Sequence, residues 1–190
     1  MLRAWLVVGL VALAPSAVPA GPFELRPPDS KVEFFVRDNR GGFTGETRAV
    51  SGRVVVRDRE EGPIAEVEAR VDARTIRTGA SLRDSQMRSA TFLNTVQFPF
   101  ITFKGTVTAP GTAGGQFRGI MRGALTIKNV TRDVEIPLEI TVDGNTYTAR
   151  GEVVVKMSDF GIPIPRFLIF VAEDPVTIRL QVRLAPRGSS

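Results

Sequence analysis

With no histidine and no cysteine, any chemistry in this 190-residue chain falls to charged, amide and hydroxyl side chains. Ser-His-Asp and Cys-His nucleophilic sets are therefore excluded. The usual neutral-pH proton shuttle and commonest metal ligand is missing too. A transition-metal site would need carboxylates alone, and the sequence shows no clustered set. No Gly-x-x-x-x-Gly-Lys-Ser/Thr phosphate loop occurs. No catalytic set, metal or cofactor is expected. The polar pair that stands out is Arg83-Asp84, within GASLRDSQMRSATFL at 79–93. Its first reading is a helix-end ion pair or cap, and its second is a clamp on a ligand headgroup. Asn129-Val130-Thr131 matches a glycosylation sequon but overlaps a strand junction and carries little weight. Gly119, Gly123 and Gly151 read as bend or close-packing glycines.

The elements around these residues are strands. Alternation of period two puts every second side chain on one sheet face. Val134, Ile136, Leu138, Ile140 and Val142 point one way, against Glu135, Pro137, Glu139 and Thr141. Val176, Ile178, Leu180, Val182 and Leu184 repeat the pattern. Eight strands are expected near 31–38, 46–58, 64–76, 99–108, 116–129, 132–142, 146–157 and 175–185. One dry and one wet face is the antiparallel habit. Turn chemistry at Glu61-Gly62-Pro63, Pro110-Gly111 and Asp143-Gly144 links neighbours up and down. Closing such a sheet into a barrel removes its edges. Pro137 marks an edge, a bulge or a weak seam. Residues 79–93 read as a helix with Ser81 as N-cap, and Leu82, Met87 and Phe92 could share its packing face. This helix is expected to cover one barrel opening. The connection 158–174 is unusually apolar and must be covered or cover something.

Residues 1–20 read as a cleaved secretory signal: Arg3, an apolar run from Ala4 to Ala14, and small side chains before Gly21. That run is too short to span a bilayer. Residues 21–190 then form one domain in the periplasm or outside the cell, with no further segment suited to membrane insertion. The formal charge is +5, yet the basic residues alternate with acids, as in Glu66, Glu68, Arg70 and Asp72. A nucleic-acid stripe would be contiguous and interleaved with exposed aromatics, so nucleic acid is not an expected partner.

An eight-stranded barrel is wide enough either to be filled by side chains or to hold one small ligand. The inward glycines and the apolar 158–174 connection favour a cavity. Three function classes follow from the residues: a binding barrel, a solid-core barrel serving as a periplasmic interaction or stress-related module, and, ranked last, an enzyme using carboxylates.

Residues 76–104 resemble the central motif of the YceI-like family of exported polyisoprenoid-binding proteins. The matching features are Arg83-Asp84, Phe92, Phe98-Pro99 and Ile101-Thr102-Phe103. Leu125 to Thr131 resembles the family's Leu-Thr-Ile-x-Gly-Val-Thr strand and turn, and Asp159-Phe160-Gly161-Ile162 its late Asp-Phe-Gly-Ile. The family's usual histidines are replaced by Gln86 and Lys128, and its glycine by Asn129. Any anion contact would therefore come from Arg, Lys or amides.

The resemblance implies an all-β, eight-stranded antiparallel lipocalin-like barrel with one short covering helix. It implies non-enzymatic binding, storage or transport of an isoprenoid, quinone-like or other long-chain amphiphile, in a protein that is often a homodimer. Phe34, Val36, Phe92, Phe100, Phe103, Phe117, Met121, Met157, Phe160, Ile162, Phe167 and Phe170 are expected along the lipid tail. Arg77, Arg83 and Arg88 are the candidates for the headgroup.

Overall fold

The computed structural model describes residues 21–25, 29–57, 64–109, 115–167 and 169–186. The expected signal segment lies outside them. Among the described residues there are eleven strands, of which all but β10 share eight barrel positions: β1 (Gly21–Leu25), β2 (Lys31–Asp38), β3 (Phe43–Thr47), β4 (Val50–Arg57), β5 (Ile64–Asp72), β6 (Phe100–Thr108), β7 (Gln116–Ile127), β8 (Val130–Asp143), β9 (Thr146–Lys156), β10 (Arg166–Phe167) and β11 (Phe170–Pro186). Every pairing is antiparallel. The ring runs β4-β5-β6-β7-β8-β9-β11 and closes through β1 and β2, which lie end to end along β11. β3 and β4 are likewise two halves of one position, and β10 is a short flap on the end of β11.

The expected strand over 46–58 is corrected to two. Phe43, Gly45 and Thr47 carry the inward parity of β3, while Val50, Val54 and Val56 carry that of β4. The parity changes at Arg48-Ala49, where the Thr47 hydroxyl accepts the Ala49 N–H at 3.0 Å. β1 was not expected from the alternation. It contributes Phe23 and Leu25 to the core and supplies half of the closing strand.

The alternation becomes a dry interior. One buried cluster joins Phe23, Val54, Val67, Met121, Ile136, Leu138, Ile140 and Tyr147 at one end. A second joins Val36, Ile127, Met157, Phe160, Ile162 and Ala172 at the other. Each such side chain stabilises the fold by about 1.5–3 kcal/mol relative to exposure. Outside, the basic residues tie neighbouring strands. Arg53 faces Glu68, Arg122 faces Glu135 and Arg179 faces Glu152, with N–O distances of 3.0, 2.7 and 2.6 Å. Such exposed cross-strand pairs contribute roughly 0.2–1 kcal/mol each.

One seam is incomplete. β8 and β9 pair from Leu138 to Asp143 against Thr146 to Gly151 and then separate. Pro137, which has no N–H to donate, sits where the ladder stops. Beyond it the short 3-10 turn Ser158–Phe160 packs against both strands. Phe160 is 2% exposed there. Gly161 follows with φ of 64°, and the Ile162 N–H returns to the Met157 carbonyl at 3.0 Å. This left-handed glycine termination brings Ile162 and Met157 together in the second cluster. Asp174 fastens the turn by accepting the Ser158 N–H at 2.9 Å and its hydroxyl at 2.5 Å.

Candidate functional site

The interior is hollow rather than filled. A cavity of about 920 Å³ runs between the two clusters. That is at the upper end of the roughly 300–1,000 Å³ usual for small-molecule sites. The wall around it is drawn tight by glycine. Gly105 and Gly123 face each other across β6 and β7, and a Cβ on Gly123 would lie 2.5 Å from the Gly105 Cα. The two backbones thus approach more closely than side chains would permit, and the Phe103 ring lies over Gly105. Phe34 uses the same device, its ring filling the space beside Gly45 that a Cβ would need.

The opening lies at the end formed by α1 (Ser81–Arg88), the β2–β3 turn and the 157–172 segment. The expected helix over 79–93 is shorter than the motif, and turns carry the chain on to Phe92. Ser81 is not its N-cap. Ala80 holds that position, and no side chain caps it. Asp84 instead reaches backward, accepting the Thr78 N–H at 2.8 Å and the Thr78 hydroxyl at 2.6 Å. Asp84 is 4% exposed. Burial pushes its pKa up, but the two Thr78 hydrogen bonds and the nearby charges of Arg88 and Arg77 outweigh that and hold it below the usual carboxylate value.

Arg83 and Asp84 therefore form no ion pair with each other. The Arg83 guanidinium lies 4.1 Å from the centroid of the Phe43 ring and lines the cavity. A cation over an aromatic face contributes about 0.5–2 kcal/mol. Arg77 and Arg88 do not line the cavity. Arg77 donates to the carbonyls of Arg74 and Ile76 at 2.9 and 3.0 Å, and Arg88 to that of Ile76 at 3.4 Å. Both brace the loop beneath the helix.

Along the walls, Phe34, Val36, Phe92, Phe103, Phe117 and Met121 all face the cavity. So do Met157, Phe160 and Ile162, at the end where the cavity opens. Phe100 does not. It lies on the outer face, 37% exposed, with the guanidinium carbons of Arg70 and Arg74 at 5.1 and 5.6 Å from its ring centroid. Strand parity explains this: Ile101 and Phe103 point inward, so Phe100 points outward. The backbones of Phe167 and Phe170 pair in the β10–β11 hairpin, but their side chains lie outside the described residues.

Several lining residues were not anticipated as site residues. Phe23, Phe43 and Tyr147 add aromatic wall, and Tyr147 meets Phe23 edge-on with centroids 5.2 Å apart. Tyr147 was legible from the parity of β9. Lys156 and Asp38 also line the cavity, and neither has a sequence signal that separates it from other surface charges. The described polar lining is thus two cations, one carboxylate and a few hydroxyls and amides around an apolar interior. Among the described residues no group of three His, Cys, Asp or Glu side chains could hold a metal ion. None of the described helices is long and apolar enough to cross a membrane.

The barrel resembles solved structures. It aligns with BcnA of Burkholderia cenocepacia at a TM-score of 0.70 and 18% identity, covering 84% of this chain and 98% of that one. A polyisoprenoid-binding domain from Saccharophagus degradans, implicated in plant cell wall breakdown, aligns at 0.67 and 15%, covering 88% and 99%. The Campylobacter jejuni YCEI protein aligns at 0.56 and 17%, covering 73% and 82%. In sequence, a UPF0312 protein of Shewanella baltica is 27% identical over 165 residues, covering 82% of this chain and 84% of the relative. The family model for the YceI-like domain matches residues 23–184, from the first inward phenylalanine of β1 to the last inward leucine of β11, and the chain belongs to that family.

Proposed function

We propose that this chain is a non-enzymatic carrier. It holds the tail of an isoprenoid, quinone-like lipid or other long-chain amphiphile inside the barrel, in the periplasm or outside the cell. The observation that carries this reading is the apolar cavity of about 920 Å³, with Arg83 and Lys156 among its few polar lining groups. An apolar cavity is a poor host for water and a good one for hydrocarbon. The polyisoprenoid-binding domain among the structural neighbours supports an isoprenoid in particular.

Each methylene moved out of water gains about 0.8 kcal/mol. In a cell the donor is a membrane, where the tail is already dry, so moving it into the barrel is close to neutral. Selectivity then rests on tail length, wall shape and the cations at the mouth.

The test is titration with a polyprenyl phosphate, read by tyrosine emission. Tyr147 is the chain's single tyrosine and lines the cavity, where burial raises its phenol pKa. Saturable binding is expected for the parent, with loss of more than tenfold in affinity for Met121→Arg, which places a charge in the apolar wall. A folded Met121→Arg protein that binds as the parent does would remove the interior from the account.

A further inference from the structure

The rim of the opening carries apolar side chains that face outward. Leu82 on α1 is 72% exposed, and Ile169 and Val171 on the β10–β11 hairpin are 59% and 41% exposed. These elements stand at one end of the barrel. Arg83, next to Leu82, lies over Phe43 at the start of β3. Asn39, in the β2–β3 turn, donates from its side-chain amide to the Ile169 carbonyl at 2.8 Å and from its backbone to the Val171 carbonyl at 3.2 Å. The helix, the turn and the hairpin thus surround one mouth.

Two of these tips have an arginine beside them: Arg83 follows Leu82, and the exposed Arg166 pairs across the hairpin with Val171. Apolar tips flanked by arginine fit the boundary of an anionic bilayer, where the tips enter the acyl region and the guanidinium groups meet phosphate. Asp159 and Glu173 are exposed at the same end, so the attraction rests on this local placement and not on a uniformly positive face.

We propose that this rim docks the barrel, mouth down, on an anionic lipid surface. The lipid tail then passes between membrane and cavity without crossing water. This rests on the carrier reading for its purpose, but docking is measurable without any cargo.

The experiment is co-sedimentation with vesicles of phosphatidylcholine, with and without phosphatidylglycerol. It is run beside uptake of polyprenyl phosphate supplied either in vesicles or in detergent. The variants are Ile169→Asp and Arg166→Glu, neither of which lines the cavity. The parent is expected to sediment with the anionic vesicles and much less with the neutral ones. Removing one surface cation costs about fivefold in partition, and reversing it at Arg166→Glu costs more. Ile169→Asp should lose at least tenfold. Both variants should take up lipid from vesicles more slowly while keeping the parent's capacity from detergent. A parent that stays in the supernatant with both vesicle types overturns the proposal and leaves a protein surface as what the rim meets. Equal sedimentation of parent and both variants overturns the assignment to this rim. Docking without uptake from either source instead defeats the carrier reading and leaves the docking intact.

Discussion

Arg83 stacks on Phe43, the guanidinium carbon 4.1 Å from the ring centroid, at the edge of the cavity. The stack holds a cation where the apolar wall ends. A headgroup phosphate docked there would gain a charge-assisted hydrogen bond, worth about 1.5–3 kcal/mol. Arg83→Gln should therefore weaken binding of a polyprenyl phosphate by about tenfold or more, and leave the uncharged polyprenol nearly unchanged. Arg77→Gln should spare both, because Arg77 is spent on the carbonyls of Arg74 and Ile76. Isothermal titration of both lipids against both variants checks this.

The loop beneath the helix depends on a charged carboxylate. The folded-state pKa of Asp84 is depressed, so its contribution is present above its unfolded pKa and is lost as the pH falls through the lower folded value. Asp174, held by Ser158 on the covering turn, has the same sign. Acid should therefore loosen the mouth below about pH 4, the ordinary carboxylate value. Asp84→Asn should cost about 1–2 kcal/mol at neutral pH, the range for a weakened charge-assisted hydrogen bond. The deficit should shrink as the parent is acidified. Urea unfolding of both proteins at several pH values measures the difference.

The close approach of β6 and β7 tolerates no added atom. Gly123→Ala would push a methyl group 2.3 Å from the Lys104 carbonyl and 2.5 Å from the Gly105 Cα, both backbone. The strands must part, at a cost of roughly 1–3 kcal/mol. In a chain of this size that lowers Tm by roughly 2–4 °C per kcal/mol. Gln116→Ala, at an exposed position of the same strand, should change stability by less than about 0.5 kcal/mol. Thermal melts of the two variants give the comparison.

The barrel was legible because its strands alternate, and alternation reports burial on one face directly. β8 and β11 announce themselves through long runs of Val, Ile and Leu. Pro137 likewise marked the point where the β8–β9 ladder stops. β1 escaped notice because two inward residues, Phe23 and Leu25, are too short a run to show a period. The break at Arg48-Ala49 is visible in hindsight as a change of parity, and Phe100 is betrayed by parity in the same way. The mouth was less legible. Asp84 reaches back six residues to Thr78, against the direction of an ordinary N-cap, and Arg83 finds Phe43 across the fold. Long-range pairings of this kind depend on how the strands are placed, and local spacing does not encode them.

The central claim is that the cavity holds a lipid tail. Its most direct measurement is organic extraction of the protein purified without detergent from its native compartment, followed by mass spectrometry of the extract. The account predicts a long-chain isoprenoid or similar amphiphile in near-stoichiometric amount, much reduced in the extract of folded Met121→Arg protein. A lipid-free parent that also refuses added polyprenyl phosphate and quinones would contradict it.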